Sequence, residues 1–282
     1  MRIPAGIVGT TVGPDVQEID ARWLMAYAAA LGETAPEYFD TTRPAGILAH
    51  PLFPVCYEWP LALALRATAL SAEIAVRSVH ATHDLRLHRR PRPGDRLRTT
   101  ATIVSAEPRP PGAYVLTRFE TVDAEGRPVT TTDYGSIYRG VECEEPPPSR
   151  PRDPDPPPRD SRPDWSVSVP IAANLAHLYT ECARIWNPIH TDRAVARAAG
   201  LPDIILHGTA TLALAVSAVL RREPAGAGAA VTRVASRFSA MVRLPSTIVA
   251  EGRNRGGDGV ISFQVLTGEG RAALQQGSLV LA

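Results

Sequence analysis

The sequence predicts an α+β fold of two repeats, each an antiparallel sheet wrapped around one central helix. Three observations carry this. Tyr27, Pro36 and Asp40 stand 152 residues before Tyr179, Pro188 and Asp192. Farther along, "RLHRRPRPGDRL" (86–97) stands 151 residues before "RFSAMVRLPSTI" (237–248). Two blocks in the same order at nearly one offset indicate an internal duplication. Each half also holds one long segment rich in Ala and Leu, followed by β-branched or alternating runs.

In order, the first repeat opens on an Ala-rich helical pattern, "DARWLMAYAAALG" (20–32), and a Pro-containing loop. "WPLALALRATALSAEIAV" (59–76) is too long and too rich in Ala and Leu for a strand, and is the predicted central helix. "RLRTTATIVSAE", "AYVLTRFETVDAEG" and "PVTTTDYGSIYR" read as strands, with "DAEGRP" as a turn between two of them. Residues 142–163, "ECEEPPPSRPRDPDPPPRDSRP", are saturated with Pro and charge and read as an extended linker between domains at 1–141 and 164–282. At roughly 3.1 Å per residue in polyproline geometry, it would reach on the order of 60 Å, enough to carry the chain across one domain. The second repeat runs in parallel, with a helical "IAANLAHLYTECA" (171–183), a central helix "GTATLALAVSAVLRR" (208–222), and the strands "STIVAEGR", "GVISFQVLTGEG" and "AALQQGSLVLA".

Thirty bases against 29 acids leave a formal charge of +1, which gives no reason to expect nucleic acid or an anionic membrane surface as a partner. Every one of those bases is Arg. Cys56, Cys143 and Cys182 are odd in number and lack CxxC spacing, so neither a disulfide framework nor a zinc knuckle is indicated. The longest apolar runs, such as "TLALAVSAVL" (211–220), are too short to span a bilayer, and the N-terminus lacks the continuous apolar core of a signal peptide. A soluble cytoplasmic protein is expected.

The stretch "YTECARIWNPIHTDRAVARAAGLPDIILHG" (179–208) carries a family likeness. It resembles the MaoC-like (R)-specific enoyl-CoA hydratases: an aromatic, Ser-Gly-Asp-x-Asn-Pro-(Ile/Leu/Val)-His, an Ala, and then a His-Gly opening the central helix. Tyr179, Asn187, Pro188, Ile189, His190, Ala196, His207 and Gly208 occupy those places. "VHATHDLRLHRRPRPGDRL" (79–97) is similar to the first repeat of double hot-dog hydratases. The resemblance implies a double hot-dog fold acting on an enoyl or 3-hydroxyacyl thioester of CoA or a carrier protein. It implies no metal or other cofactor. A homodimer is a further expectation, because hot-dog sheets commonly pair edge to edge.

Adding water across a thioester-conjugated double bond requires a base for the water, an acid for Cα and donors for the developing enolate oxygen. In the family, Asp and the His five residues later share the acid–base work, and the Gly N–H of His-Gly holds the oxyanion. His190 and Gly208 inherit their roles, with Asn187 bracing the loop or serving as an ordinary turn residue. Ala183-Arg184-Ile185 replaces Ser-Gly-Asp, so the carboxylate is missing. Glu181, one helical turn upstream, is the first candidate to replace it, with Glu33 and Asp203 behind. Arg184, Ile185 and His207 are expected at the substrate. From the cluster Arg86, His88, Arg89, Arg90, Arg92, Arg96 and Arg98, the residues Arg89 and Arg90 are expected to meet CoA phosphates, against the alternative of a solvated face. Asp192 is expected to cap the helix "RAVARAAG". The competing function is a diverged protein or partner subunit that binds acyl thioesters without turnover. Thioester hydrolysis fits less well, since hot-dog thioesterases do not usually carry "NPIH".

Overall fold

The computed structural model describes residues 1–144 and 162–282. The first repeat contains β1 (Arg2–Ile3), β2 (Thr11–Glu18), α1 (Ala21–Ala30), α2 (Pro36–Phe39), α3 (Pro54–Ala69), α4 (Ala72–Ala75), β3 (Ser78–Leu87), β4 (Arg96–Arg109), β5 (Gly112–Val122), β6 (Pro128–Arg139) and β7 (Glu142–Cys143). The second contains β8 (Trp165–Ile171), α5 (Leu175–Ala183), a 3-10 turn at Pro188–His190, α6 (Arg193–Ala198), α7 (Gly208–Leu220), β9 (Val231–Phe238), β10 (Ser246–Gly252), β11 (Val260–Thr267) and β12 (Ala272–Leu281).

Ten strands form one sheet in the order β2-β4-β5-β6-β3-β9-β12-β11-β10-β8, so each repeat contributes five strands in the same topology. The repeats join edge to edge through β3 and β9, antiparallel, with Asp84 opposite Ala235. Those two residues are 151 apart, so the duplication's pseudo-twofold axis passes between them. Tyr27 and Tyr179 are repeat equivalents too, and their hydroxyls lie 3.3 Å apart where α1 packs on α5. Tyr27 also donates to the Leu52 carbonyl and Tyr179 to the Thr209 hydroxyl, so both buried phenols are satisfied.

The predicted central helices sit where the alternating strands can wrap them. Every residue of α7 from Ala210 to Leu220 is buried, as a helix that is apolar nearly all round requires, and its polar Thr211 and Ser217 are hydrogen-bonded. In the first repeat the helix starts earlier than the expected 59–76, at Pro54, and ends at Ala69, with α4 following as a separate turn. Pro54 suits the first helical position, where a missing N–H loses no bond. Pro60 lies within the helix. Asp192 caps α6 through the N–H groups of Ala194 and Val195, as expected, and Asp20 caps α1 through the Trp23 N–H.

Each repeat opens on a strand, not on the helix the sequence suggested. These strands, β2 and β8, are the two edges of the sheet, and each carries an exposed Pro, Pro14 and Pro170. Proline tolerates an edge and disguises a strand pattern. The expected linker is shorter at its start, because Glu142 and Cys143 pair in parallel with Arg2 and Ile3. Residues 145–161, most of that linker, lie outside the described residues.

Five of the seven histidines, His50, His80, His83, His190 and His207, are held below the usual imidazole range, chiefly by burial. The unfolded chain therefore binds protons below about pH 6.5 that the folded chain refuses, and stability present above that pH is lost as it falls toward 4. Glu58, pushed up to about 8 by burial, works in the opposite direction as one group against five. Chemical denaturation is expected to show stability declining from pH 6.5 to 5.5, by on the order of 1 kcal/mol per imidazole. A flat profile would contradict the neutral core. In a double-mutant cycle, Tyr27→Phe and Tyr179→Phe are each expected to destabilise by about 1 kcal/mol, with the double variant losing less than their sum.

Candidate active site

The site begins where α5 ends. Arg184 caps that helix in the left-handed region, at φ 57° and ψ 34°, a conformation that favours Gly and costs another residue roughly 1 kcal/mol. This is the slot where the resemblance places a Gly, the residue such a turn favours. Part of the strain is offset by the Arg184 guanidinium, which lies 4.0 Å from the ring centroid of Trp23 on α1, a cation–π contact. The next N–H, of Ile185, returns to the Thr180 carbonyl at 3.1 Å. Ile185 is thereby directed inward, 4% exposed, onto a cavity wall.

Asn187 starts the 3-10 turn that delivers His190, its side-chain oxygen accepting from the Ile189 N–H at 3.4 Å. The His190 Nδ1 sits 2.8 Å from the Ile205 carbonyl. A carbonyl accepts only, so Nδ1 carries the proton and Nε2 keeps the lone pair. Burial lowers the pKa to about 4, against the opposing effect of the Ile205 carbonyl. The ring stacks on His207 with centroids 3.7 Å apart. His207 is fixed by the Thr180 hydroxyl at 3.2 Å from Nε2 and is held neutral by burial and by His190.

Gly208 follows at the first position of α7, where backbone N–H groups have no intrahelical acceptor and the positive end of the helix dipole lies. Its lack of a side chain is steric: a Cβ there would stand 3.0 Å from Phe238 Cδ1. Ile185, Asn187, His190, His207 and Gly208 all line one cavity of about 1900 Å³.

The first repeat supplies the opposite wall of that cavity, including Glu58, Trp59, His80 and His83. Glu58 is 3% exposed, and its Oε1 accepts from the Thr132 hydroxyl at 2.6 Å. Burial raises its pKa to about 8, which favours the neutral carboxylic acid. The one sequence signal for Glu58 is an acid inside the apolar helical run "PVCYEWPLALAL". His80 and His83 come from "VHATHD" (79–84), where nothing local marks them as cavity residues.

Other expected residues lie elsewhere. Glu181 is exposed on α5 and does not line the cavity, because one turn upstream places it on the outer face. Arg184 points to Trp23, also off the cavity. Arg89 forms a two-pronged pair with Asp95, at 2.6 and 3.1 Å, and reaches Asp123. Arg90 crosses to the second repeat and donates to the carbonyls of Ala227 and Ala229 at 2.7 and 2.6 Å. Both are structural clamps here, and neither lines the cavity. The remaining members of that cluster, Arg86, His88, Arg92, Arg96 and Arg98, form an exposed face. Glu33 is buried against Arg221, and Asp203 pairs with Arg193.

Residues 157–272 match the MaoC like domain and residues 6–132 the FAS1-like, dehydratase domain region. Over 66 residues the chain is 36% identical to peroxisomal enoyl-CoA hydratase 2 of Arabidopsis thaliana, a match covering 23% of this chain and 21% of that protein. The chain thus spans about a fifth of that relative's length in the match. A MaoC-like dehydratase from Phytophthora capsici superimposes with a TM-score of 0.86 at 21% identity, covering 98% of this chain and 96% of that one. The full-length peroxisomal multifunctional enzyme type 2 of Drosophila melanogaster gives 0.78 at 24% identity, covering 95% of this chain and 48% of that one. A Mycobacterium tuberculosis protein with a double hotdog fold gives 0.60 at 17%, covering 98% and 96%. Likenesses at these identities establish fold. The N-terminal half thus matches a FAS1-like dehydratase region and the C-terminal half a MaoC-like domain, and the chain as a whole has a double hot-dog fold.

Proposed function

We propose that the chain interconverts a 2-enoyl thioester and its 3-hydroxyacyl counterpart, carried by CoA or a carrier protein, with His190 as the proton shuttle. The observation that supports it most is the fixed tautomer of His190 in a cavity it shares with the N-terminus of α7. The Nε2 lone pair takes a proton from water as its oxygen bonds to Cβ. The electron pair of the double bond moves toward the thioester oxygen, where the Gly208 N–H and the helix dipole stabilise it. The resulting imidazolium returns the proton to Cα, so one water is added and His190 ends as it began. Dehydration is the same path reversed.

Ile185 changes the energetics of this path. An apolar neighbour leaves the imidazole neutral and ready as a base at physiological pH, but gives the transient imidazolium no countercharge. Losing one acid–base partner typically reduces rate by about 10²–10⁴. No resident cofactor is part of the proposal, and the chain is taken as a cytoplasmic homodimer. Ile185 also supports a second reading, in which the cavity holds an acyl thioester without turning it over.

With a panel of trans-2-enoyl-CoA substrates, His190→Ala is expected to abolish hydration, and Ile185→Asp to raise kcat by about 10² or more. If wild type turns over nothing yet binds saturated acyl-CoA in calorimetry, the binding reading replaces the enzymatic one. The base must be unprotonated, so kcat/KM of the wild type is expected to fall only as pH drops toward 4. The acid limb of Ile185→Asp is expected at higher pH, because a carboxylate beside the imidazole favours its charged form.

A further inference from the structure

The cavity wall formed by the first repeat holds hydrogen-bonding groups that the proposed reaction does not use. His83, 1% exposed, has no hydrogen-bond partner on either ring nitrogen among the described residues. On α3, the Trp59 Nε1 and the Arg66 Nη2 are buried and likewise unpartnered. Glu58, next to Trp59 in sequence, has one carboxyl oxygen occupied by Thr132. All four residues line the cavity that contains His190 and Gly208. Buried polar groups are almost always satisfied in folded proteins, so unpaired ones around a cavity describe what is meant to fill it.

A chain of ring contacts joins this wall to the reacting end. Phe238 closes on Gly208 and lies 4.3 Å from His80, whose ring is 5.4 Å from that of His83. An acyl chain whose carbonyl sits at Gly208 would pass Phe238 and His80 and arrive at His83, Glu58, Trp59 and Arg66 several carbons later. The indole and guanidinium are donors only, and neutral His83 adds one donor and one acceptor. The wall therefore complements oxygen, whereas a plain alkyl tail would leave all these groups unpaired in a desolvated site.

We infer that the wall of Glu58, Trp59, Arg66 and His83 is a recognition subsite for an oxygen function on the acyl chain, distant from the thioester. Resting on the proposed thioester chemistry, it makes the substrate an oxygenated acyl chain in place of a simple fatty one. The shared chemistry is a hydrogen-bond-accepting oxygen, borne by a keto or hydroxyl group or by a terminal carboxylate. A site built for such hydrogen bonds rejects the analogue that lacks them far more strongly than an apolar pocket rejects an added hydroxyl.

The test uses the full chain and trans-2-enoyl-CoA thioesters of matched length: unsubstituted, keto- or hydroxyl-bearing near the far end, and ω-carboxylated. At least one oxygenated arm is expected to exceed the alkyl chain in kcat/KM by about tenfold or more, and the better arm identifies the source of the oxygen. Trp59→Phe, which removes one donor and keeps the ring, is expected to erode that preference about fivefold or more through KM. His83→Phe is expected to erode it further. Equal or better turnover of the alkyl chain, or a preference unmoved by both variants, overturns the proposal. If nothing is turned over, calorimetry with the saturated counterparts decides separately. Tighter binding of an oxygenated arm keeps the subsite while the enzymatic reading falls, and no difference between arms, including no binding of any, overturns the subsite.

Discussion

The pairing of β3 with β9 is the constraint on which the rest depends. It runs from Thr82 opposite Arg237 to Arg86 opposite Arg233, and it turns two five-stranded sheets into one. Asp84 and Arg233 reinforce it with two hydrogen bonds, at 2.8 and 2.6 Å. The strands part beyond Thr82 and Arg237, and the residues just past that point, His80, Ala81, Phe238 and Ser239, line the cavity. The paired residues Thr82, His83, Ser236 and Arg237 line it too, so the cavity lies along the junction of the repeats. Its two walls are held in register by the same contact that joins the repeats.

The two repeats divide the work unequally. The second retains the loop from Arg184 to His190 and the glycine-initiated helix, which together place an imidazole lone pair near a helix terminus. The first has His50 before its central helix, but that ring is fully engaged, accepting from the Leu52 N–H and bonded to Ser217, with its pKa pushed down to about 3 by burial. Glu33, at the position equivalent to Ile185, is bound to Arg221 and lines no part of the cavity. The first repeat has thus become a wall for the second repeat's chemistry.

Much of this was legible in the residues. Tyr27 and Tyr179 aligned by offset and meet across the axis, because a duplicated contact at a twofold must face itself. "NPIH" and "HG" marked residues that the fold brings to one cavity. Other features were hidden for physical reasons. The edge strands were disguised by proline, and Glu58 by its helix, since nothing local says which face of an apolar helix meets a cavity and which meets the core. Arg89 and Arg90 looked like phosphate ligands, but charge density does not reveal partners. Asp95 is six residues away, whereas the carbonyls of Ala227 and Ala229 come from the other repeat. Glu181 satisfied linear spacing and failed in three dimensions because α5 ends two residues later and the chain reverses at Arg184.

The two outer margins of the sheet end on strands interrupted by Pro14 and Pro170. The first coincides with a break in register against β4. A proline offers no amide hydrogen to a newcomer, and a bulge turns the ribbon away from any added neighbour. Lateral growth is thus disfavoured at both margins, although the molecule's own halves are joined strand to strand. Each margin carries an obstacle to the open-ended fibre, the hazard of every long exposed ribbon.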